Sequence, residues 1–428
     1  MHTPPIVALR LFPGVHLLRD YEVCVMPGVC GNKARKLAGL AAAPWLPAEL
    51  VSHGGPQSNA MLALARLAAA CGGRLTYHTT PLPRWLRDAP TGNLAAALGC
   101  GMTLCEHPTR RAYDEACAAA EAAAGTASSV PGGGVRATGW VERGGASPSA
   151  ELGVSQLAAD IGRWMSTRSA GPASVSAPLA GGPPPDSSTS GQVTAVDQDQ
   201  RPGPYPRLDT IGAADRAELL EVLRWTHGEF EAGARDPVVH VMLPCGTGTT
   251  ALFLARHAPP GARVHGVPCV GDGMYLDRQM RELDLASGGS GGHRASVLPP
   301  PERYAVPFGA VSPALLRSWR HARAHGVLLD LVYGPVAWAA LRAYRWRHRR
   351  ALLPRGRRRA GGLAAAAGGD GGVDRPTLLY VHTGGHEGLP SQLRRYARAG
   401  LVGPEEEAEA TADAQAILSW QLRGAPPG

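Results

Sequence analysis

Short apolar runs alternate with stretches of helical apolar spacing along most of this chain, and glycine, proline or serine marks most junctions. Glu49-Leu50-Val51-Ser52-His53 predicts a strand. A polar turn follows, then a helix from Ala60 to Ala70 that stops at Cys71-Gly72-Gly73. The same alternation predicts strands at Arg74 to Thr79, Met102 to Cys105 and Thr138 to Val141. Between and after them it predicts helices at Gly92 to Leu98, Ala112 to Ala124 and Ser149 to Met165, the last with Pro148 suited to its first turn. Farther on, strands are expected at Val238 to Pro244, Arg263 to Pro268 and Leu378 to His382, with helices at Ala251 to Ala255, Tyr275 to Leu283, Ala314 to Ala324 and Pro390 to Arg398. The apolar run Gly326 to Val332 reads as a strand with Tyr333 just past its end. Residues 1–30 carry only short runs such as Val15-His16-Leu17-Leu18. Strands alternating with helices predict an α/β fold with mainly parallel sheets.

Two stretches break the pattern. From about Ser166 to Arg207, Pro, Gly, Ser and Ala dominate without apolar period, which predicts a disordered insert, with helix returning at Ala213 to Trp225. From Arg342 to Arg359 arginine dominates, beside a Gly/Ala-rich piece. With no aromatic platform, zinc or RNA motif, this reads as a basic surface insert of about 342–374 and not as a nucleic-acid site. The acidic stretch Glu405 to Glu409 reads as a solvated helix face.

Composition changes this picture little. The 428 residues suffice for two domains, and 44% hydrophobic content is ordinary for a soluble globular protein. No apolar run approaches the ~18 residues of a membrane span. Met1 to Arg10 does not read as a signal or transit segment. The expectation is therefore a soluble intracellular protein, with cytoplasm, mitochondrion and chloroplast all left open. Cys24, Cys30, Cys71, Cys100, Cys105, Cys117, Cys245 and Cys269 are scattered, form no CxxC pair and show no zinc spacing. Reduced thiols and no metal are expected. Much of the net charge of +8 comes from the arginine run.

The candidate chemistry starts at Gly31-Asn32-Lys33-Ala34-Arg35-Lys36. Lys33 and Lys36 are the only lysines in the chain. Arginine serves solubility and ion pairing, but it cannot lose a proton and attack a carbonyl. The helix expected after Lys36 would place Lys33 at its N-terminus, where the helix dipole favours the neutral amine. Two strand–turn–helix units follow the pattern of anion sites: Gly54-Gly55-Pro56-Gln57-Ser58-Asn59, and Gly246-Thr247-Gly248-Thr249-Thr250. The second is neither a P-loop nor a GxGxxG fingerprint, and suits one phosphate monoester held without lysine.

These stretches, with Glu142-Arg143-Gly144-Gly145-Ala146, Asp330-Leu331-Val332-Tyr333 and His382-Thr383-Gly384-Gly385, occur in an order that resembles the 1-aminocyclopropane-1-carboxylate deaminase / D-cysteine desulfhydrase family. The Gly-Thr-Gly-Thr-Thr turn and Ala337-Trp338 look most like its plant-type desulfhydrase branch. The resemblance implies a tryptophan-synthase-β-like fold (fold type II) of two three-layer αβα domains. The large domain would comprise 1–48 and 208–428, the small one 49–165, with 166–207 as the insert between them. It also implies pyridoxal 5′-phosphate as cofactor and a homodimer.

By this resemblance Lys33 would hold the cofactor through its amine, with Asn32 beside it. Asn59 would bond the ring hydroxyl, Gly246, Thr247, Gly248, Thr249 and Thr250 the phosphate, and Thr383 would face the ring nitrogen. Gln57 and Ser58 would receive the substrate carboxylate, Ser58 and Lys33 counting among the catalytic groups. Tyr333 would be a proton-transfer group near the substrate. The expected activity is β-elimination from D-cysteine to pyruvate, ammonia and hydrogen sulfide. The alternatives are 1-aminocyclopropane-1-carboxylate deaminase or a cofactor-binding pseudoenzyme. Departures from the family pattern are Ala60 in place of histidine, Leu331 in place of proline, and Gly334-Pro335 after Tyr333, where the deaminases carry glutamate.

Overall fold

The computed structural model describes residues 2–9, 12, 14–43, 46–127, 138–169, 239–348 and 376–423. Nearly all of these belong to one unit built of residues 1–163 and 231–428. The segment 164–230 is a separate unit, of which only the end of one helix is described, and most of the expected insert and the helix at Ala213 to Trp225 lie outside the described residues.

The strands are β1 (Ile6–Ala8), β2 (Val15–Leu18), β3 (Cys24–Met26), β4 (Val29–Cys30), β5 (Glu49–His53), β6 (Arg74–Thr79), β7 (Thr103–Glu106), β8 (Thr138–Val141), β9 (Val239–Cys245), β10 (Ala262–Pro268), β11 (Ser296–Val297) and β12 (Thr377–Val381). They form a six-stranded sheet in the order β1-β2-β12-β9-β10-β11, a four-stranded sheet β7-β6-β5-β8 and the hairpin β3-β4. Pairing is parallel except for β1 with β2 and β3 with β4.

Parallel strands need helical crossovers, which cover both faces of a sheet. β9 accordingly reads Val-His-Val-Met-Leu-Pro-Cys with every residue buried. Its core includes Trp319, Trp338, Tyr380 and Leu378. A second core, with Leu50, Leu64, Leu75, Tyr77 and Leu94, lies on the four-stranded sheet. In both sheets the loops that carried the sequence motifs leave the carboxyl ends of parallel strands, where α/β folds place their sites.

Three expectations need correction. Cys24 and Cys30 are not reduced: they face each other across the β3–β4 hairpin, Cα atoms 4.0 Å apart, and form a disulfide, while the other six cysteines are free. The run Gly326 to Val332 is not a strand, for a reason given below. The basic insert does not begin at Arg342, because the helix Gly334–Arg347 continues through it with Ala343 and Tyr344 buried. The guanidinium of Arg345 lies 4.3 Å from the centre of the Phe12 ring. Residues 349–375 lie outside the described part. Among the described residues, no helix is long and apolar enough to cross a membrane.

The helix Asn32–Ala41 is anchored by Arg35, which is 1% exposed. Its guanidinium donates to Asp20 Oδ1 at 3.0 Å and to Asp160 Oδ2 at 2.7 Å, both carboxylates buried. Removing one partner of a buried ion pair leaves uncompensated charge, at a cost of about 3–5 kcal/mol. Arg35→Ala is therefore expected to lower the unfolding free energy by about that amount in urea titrations. A loss under ~1 kcal/mol would show that solvent reaches the two carboxylates.

Candidate active site

The start of the helix Asn32–Ala41 is pinned to the loop after β12. Asn32 N–H donates to Thr383 O at 3.1 Å, and Tyr21 N–H to His382 O at 3.1 Å. Gly31 has φ +65°, and a Cβ there would stand 2.4 Å from Thr383 O, so only glycine permits the contact. Lys33 and Thr383, far apart in sequence, are thereby neighbours in space.

Lys33 Nζ donates to Asn32 Oδ1 at 3.0 Å. Its side chain is half-buried, and desolvation lowers the amine from 10.5 to about 8, against an opposite pull from Glu387 and Asp330. Lys36 is buried, and its amine donates to Gly144 O at 3.2 Å and to Thr247 Oγ1 at 3.4 Å. Burial, with Lys33 nearby, pushes its pKa well down. This corrects the expectation of an anion loop without lysine, since Lys36 sits against that loop. At i and i+3 the two lysines share a helix face and look alike in sequence. Only the fold separates their surroundings.

The Gly246–Thr250 turn leads β9 into the helix Thr249–Arg256. Thr247 and Thr249 hydroxyls are 2.9 Å apart, and Thr250 Oγ1 is buried with no hydrogen-bond partner. Backbone N–H groups at the helix start and this unpaired hydroxyl suit an anion. Gly144 belongs to the predicted Glu142–Ala146 stretch, where hydrogen bonds from His53 and Trp140 help hold the Glu142 carboxyl down at about 2.

Tyr333 lies beside this turn: a Cβ on Gly246 would stand 3.5 Å from its hydroxyl. Phe308, half exposed, packs edge-on to its ring with centroids 5.2 Å apart. Asp330 sets this local structure. Its carboxylate accepts from the N–H groups of Val332 (2.7 Å), Tyr333 (2.6 Å) and Gly334 (3.0 Å), donors that a strand would give to a neighbour. Pro335 then starts the helix Gly334–Arg347. That is why the apolar run is a loop. Burial raises Asp330 to about 6 despite those bonds, and pushes the Tyr333 phenol up, so it stays protonated at ordinary pH.

Ser58 caps the helix Asn59–Ala70, its Oγ accepting from Ala60 N–H at 3.2 Å and Met61 N–H at 3.4 Å. Gln57 Nε2 donates to Thr91 O, and Gln57 Oε1 accepts from Asn93 N–H, each at 2.9 Å. The Gln57 side chain is thus engaged by protein groups. Asn59 Oδ1 accepts from Asn93 Nδ2 at 2.7 Å. Asn93 and Thr91 were not singled out from the sequence. The available signal was the turn Pro90-Thr91-Gly92-Asn93 opening a helix, which marks a turn but not its partner. Among the described residues no group of three or more His, Cys, Asp or Glu is placed to hold a metal ion.

No protein-family model and no curated protein matches the sequence. Among solved structures, the chain is similar to an ACC deaminase homologue at 16% identity, over 94% of each chain, with a TM-score of 0.55. A diaminopropionate ammonia lyase from Escherichia coli scores 0.49 at 11% identity, over 94% of this chain and 88% of that one. A fungal L-serine ammonia-lyase from Rhizomucor miehei scores 0.46 at 13% identity, over 93% and 98%. The first likeness establishes the fold class: α/β, of the tryptophan-synthase-β-like kind expected from the motifs.

The desolvated amine generates a direct expectation. With a small aldehyde and a borohydride trap, Lys33 is modified at a rate that rises through a midpoint near pH 8, because only the neutral amine attacks. The readout is the mass of the Lys33 peptide against pH. A midpoint near that of a hydrated lysine, about 10.4, would show that burial does not tune this amine.

Proposed function

We propose that this chain is a pyridoxal-phosphate-dependent lyase that removes a β-substituent from a small amino acid, with D-cysteine as substrate. The observation that carries the reading is the division of labour between the two lysines. Lys33 offers an amine lowered to about 8 beside Thr383, and Lys36 offers a second amine at the Gly246–Thr250 turn, which a bound phosphate would hold protonated. A phosphorylated aldehyde needs both. The buried, unpartnered Thr250 Oγ1 and the N–H groups of the turn fit its phosphate, with Lys36 adding charge. The Asn59 amide fits its ring hydroxyl, and the Thr383 hydroxyl its ring nitrogen. The choice of D-cysteine rests on the resemblance of the ordered motifs, and a homodimer belongs to the same reading.

When bound, the cofactor supplies an electron sink for the charge left at the substrate Cα. A hydroxyl partner such as Thr383 leaves that sink weak, which suits a good leaving group such as thiolate. Lys33 Nζ, with a pKa of about 8, takes the Cα proton. Tyr333, held as a phenol by burial, has a proton to give at the leaving sulfur and no capacity to act as base near neutral pH. Asp330 fixes the Tyr333 backbone through its three N–H contacts. Ser58 offers its hydroxyl to the substrate carboxylate. Gln57, engaged by Thr91 and Asn93, shapes the loop that presents it.

Sulfide release from D- and L-cysteine tests the reading. The expected result is turnover of the D-enantiomer alone. Lys33→Ala abolishes both turnover and the visible absorbance of the bound cofactor. Lys36→Ala keeps that absorbance but weakens cofactor binding about tenfold or more, the size of a lost charged hydrogen bond. Equal turnover of both enantiomers, or bound cofactor with no turnover, would overturn the substrate assignment. Release of 2-oxobutanoate from 1-aminocyclopropane-1-carboxylate would replace it.

A further inference from the structure

Gln57 and Asn59 flank Ser58 beyond the carboxyl end of β5, and the turn Thr91-Gly92-Asn93 meets both side-chain amides. Gln57 Nε2 donates to Thr91 O at 2.9 Å, and Asn93 N–H donates to Gln57 Oε1 at 2.9 Å. Asn93 Nδ2 donates to Gln57 O at 3.0 Å and to Asn59 Oδ1 at 2.7 Å. Asn93 is 1% exposed. The turn is pressed against Gln57: Gly92 has φ +60°, and a Cβ there would stand 2.7 Å from Gln57 Oε1 and 2.9 Å from Ser391 Oγ.

By shape alone an amide side chain fits either way round, because its oxygen and its NH2 are nearly the same size. Backbone groups remove that choice here. A backbone carbonyl only accepts, so the end of Asn93 that faces Gln57 O is its NH2. The same NH2 faces Asn59, so the end of Asn59 that faces it is the oxygen. A reversed Asn59 would set two NH2 groups against each other. Gln57 is fixed in the same way, Thr91 O taking its NH2 and Asn93 N–H its oxygen. Asn59 Nδ2 is therefore turned away from Asn93, with no partner among the described residues.

We infer that Asn93 is a positioning residue, which holds Asn59 so that its NH2 and not its carbonyl is offered to the ring oxygen of the cofactor. The inference rests on the function proposed above, because it is that phenolic oxygen, an acceptor when ionised, that requires a donor. An N–H aimed at it stabilises its negative charge. A carbonyl aimed at it does the opposite, weakening binding and raising the pH at which the bound chromophore gives up its proton.

Asn93→Asp keeps the size of the side chain and removes its N–H donors. Asn59 then turns its NH2 toward the new carboxylate and its carbonyl toward the ring oxygen. The experiment loads apo protein with pyridoxal phosphate and reads two quantities by absorbance: the dissociation constant, and the pH midpoint of the visible band. The expected result is a dissociation constant about tenfold higher and a midpoint moved to higher pH. A purely structural role would lower the thermal midpoint of the apo protein and leave the spectral midpoint in place.

Wild-type protein that never acquires the visible band would overturn the proposed function, and this inference with it. Wild type that binds normally, with Asn93→Asp matching it in affinity and midpoint, would overturn the inference alone. If Asn93→Asp does not fold, Asn93→Ala carries the same readouts. The released Asn59 amide then samples both orientations, and a loss of about threefold is expected, unchanged values again overturning the inference.

Discussion

The carbonyl of Thr383, set against the first turn of the helix Asn32–Ala41, is the contact on which the rest of the site depends. It accepts from Asn32 N–H, and the approach is so close that Gly31 has no room for a side chain. The loop after β12 and the lysine helix are thereby held as one piece. On the far side of the same helix, Arg35 grips Asp20 and Asp160. A helix held at its first turn by a backbone bond and along its side by a buried cation has little freedom to rotate. Lys33 and Lys36 both project from it, so their separation is set by the helix and not by flexible loops. Catalytic groups on rigid elements keep their geometry better than groups on loops.

Around that helix, the charged groups sit where the backbone can compensate them. The Asp330 carboxylate is buried yet accepts three N–H groups. Lys36 is buried yet bonded to a carbonyl and a hydroxyl. Desolvation nonetheless loosens the proton of both lysines, lowering Lys33 to about 8 against the pull of Glu387 and Asp330 and pushing Lys36 well down.

Much of this was legible in the sequence because the signals were local. The strand Glu49–His53, the polar turn and the helix Asn59–Ala70 follow from five residues of strand pattern, a cap residue and a helical apolar period. β9 and its turn were equally plain, because a strand buried on both faces reads as a continuous apolar run. What stayed hidden was short or non-local. β1, β3 and β4 have two or three residues each, too few for a period, and the Cys24–Cys30 bond depends on their pairing. The run ending in Val332 has strand composition, but Asp330 takes its N–H groups, and that preference shows only once the carboxylate is buried. Lys36 at the anion turn and Asn93 on Asn59 are contacts across long sequence separations, which no window along the chain contains.

The distribution of lysine has a practical side as well. The chain has two ε-amines in 428 residues, and the fold withdraws both from the surface, one half-buried and one buried. Surface charge is left to guanidinium groups, which neither acylate nor form stable imines under mild conditions. To amine-directed chemistry, such as acylating labels, bifunctional cross-linkers, lysine-specific proteases or enzymes that acetylate or ubiquitinate lysine, the folded molecule presents no exposed side chain. Any such reagent that succeeds at a side chain has either entered the site or met an unfolded chain, so labelling by a reagent too large to enter the site gauges whether this protein is folded.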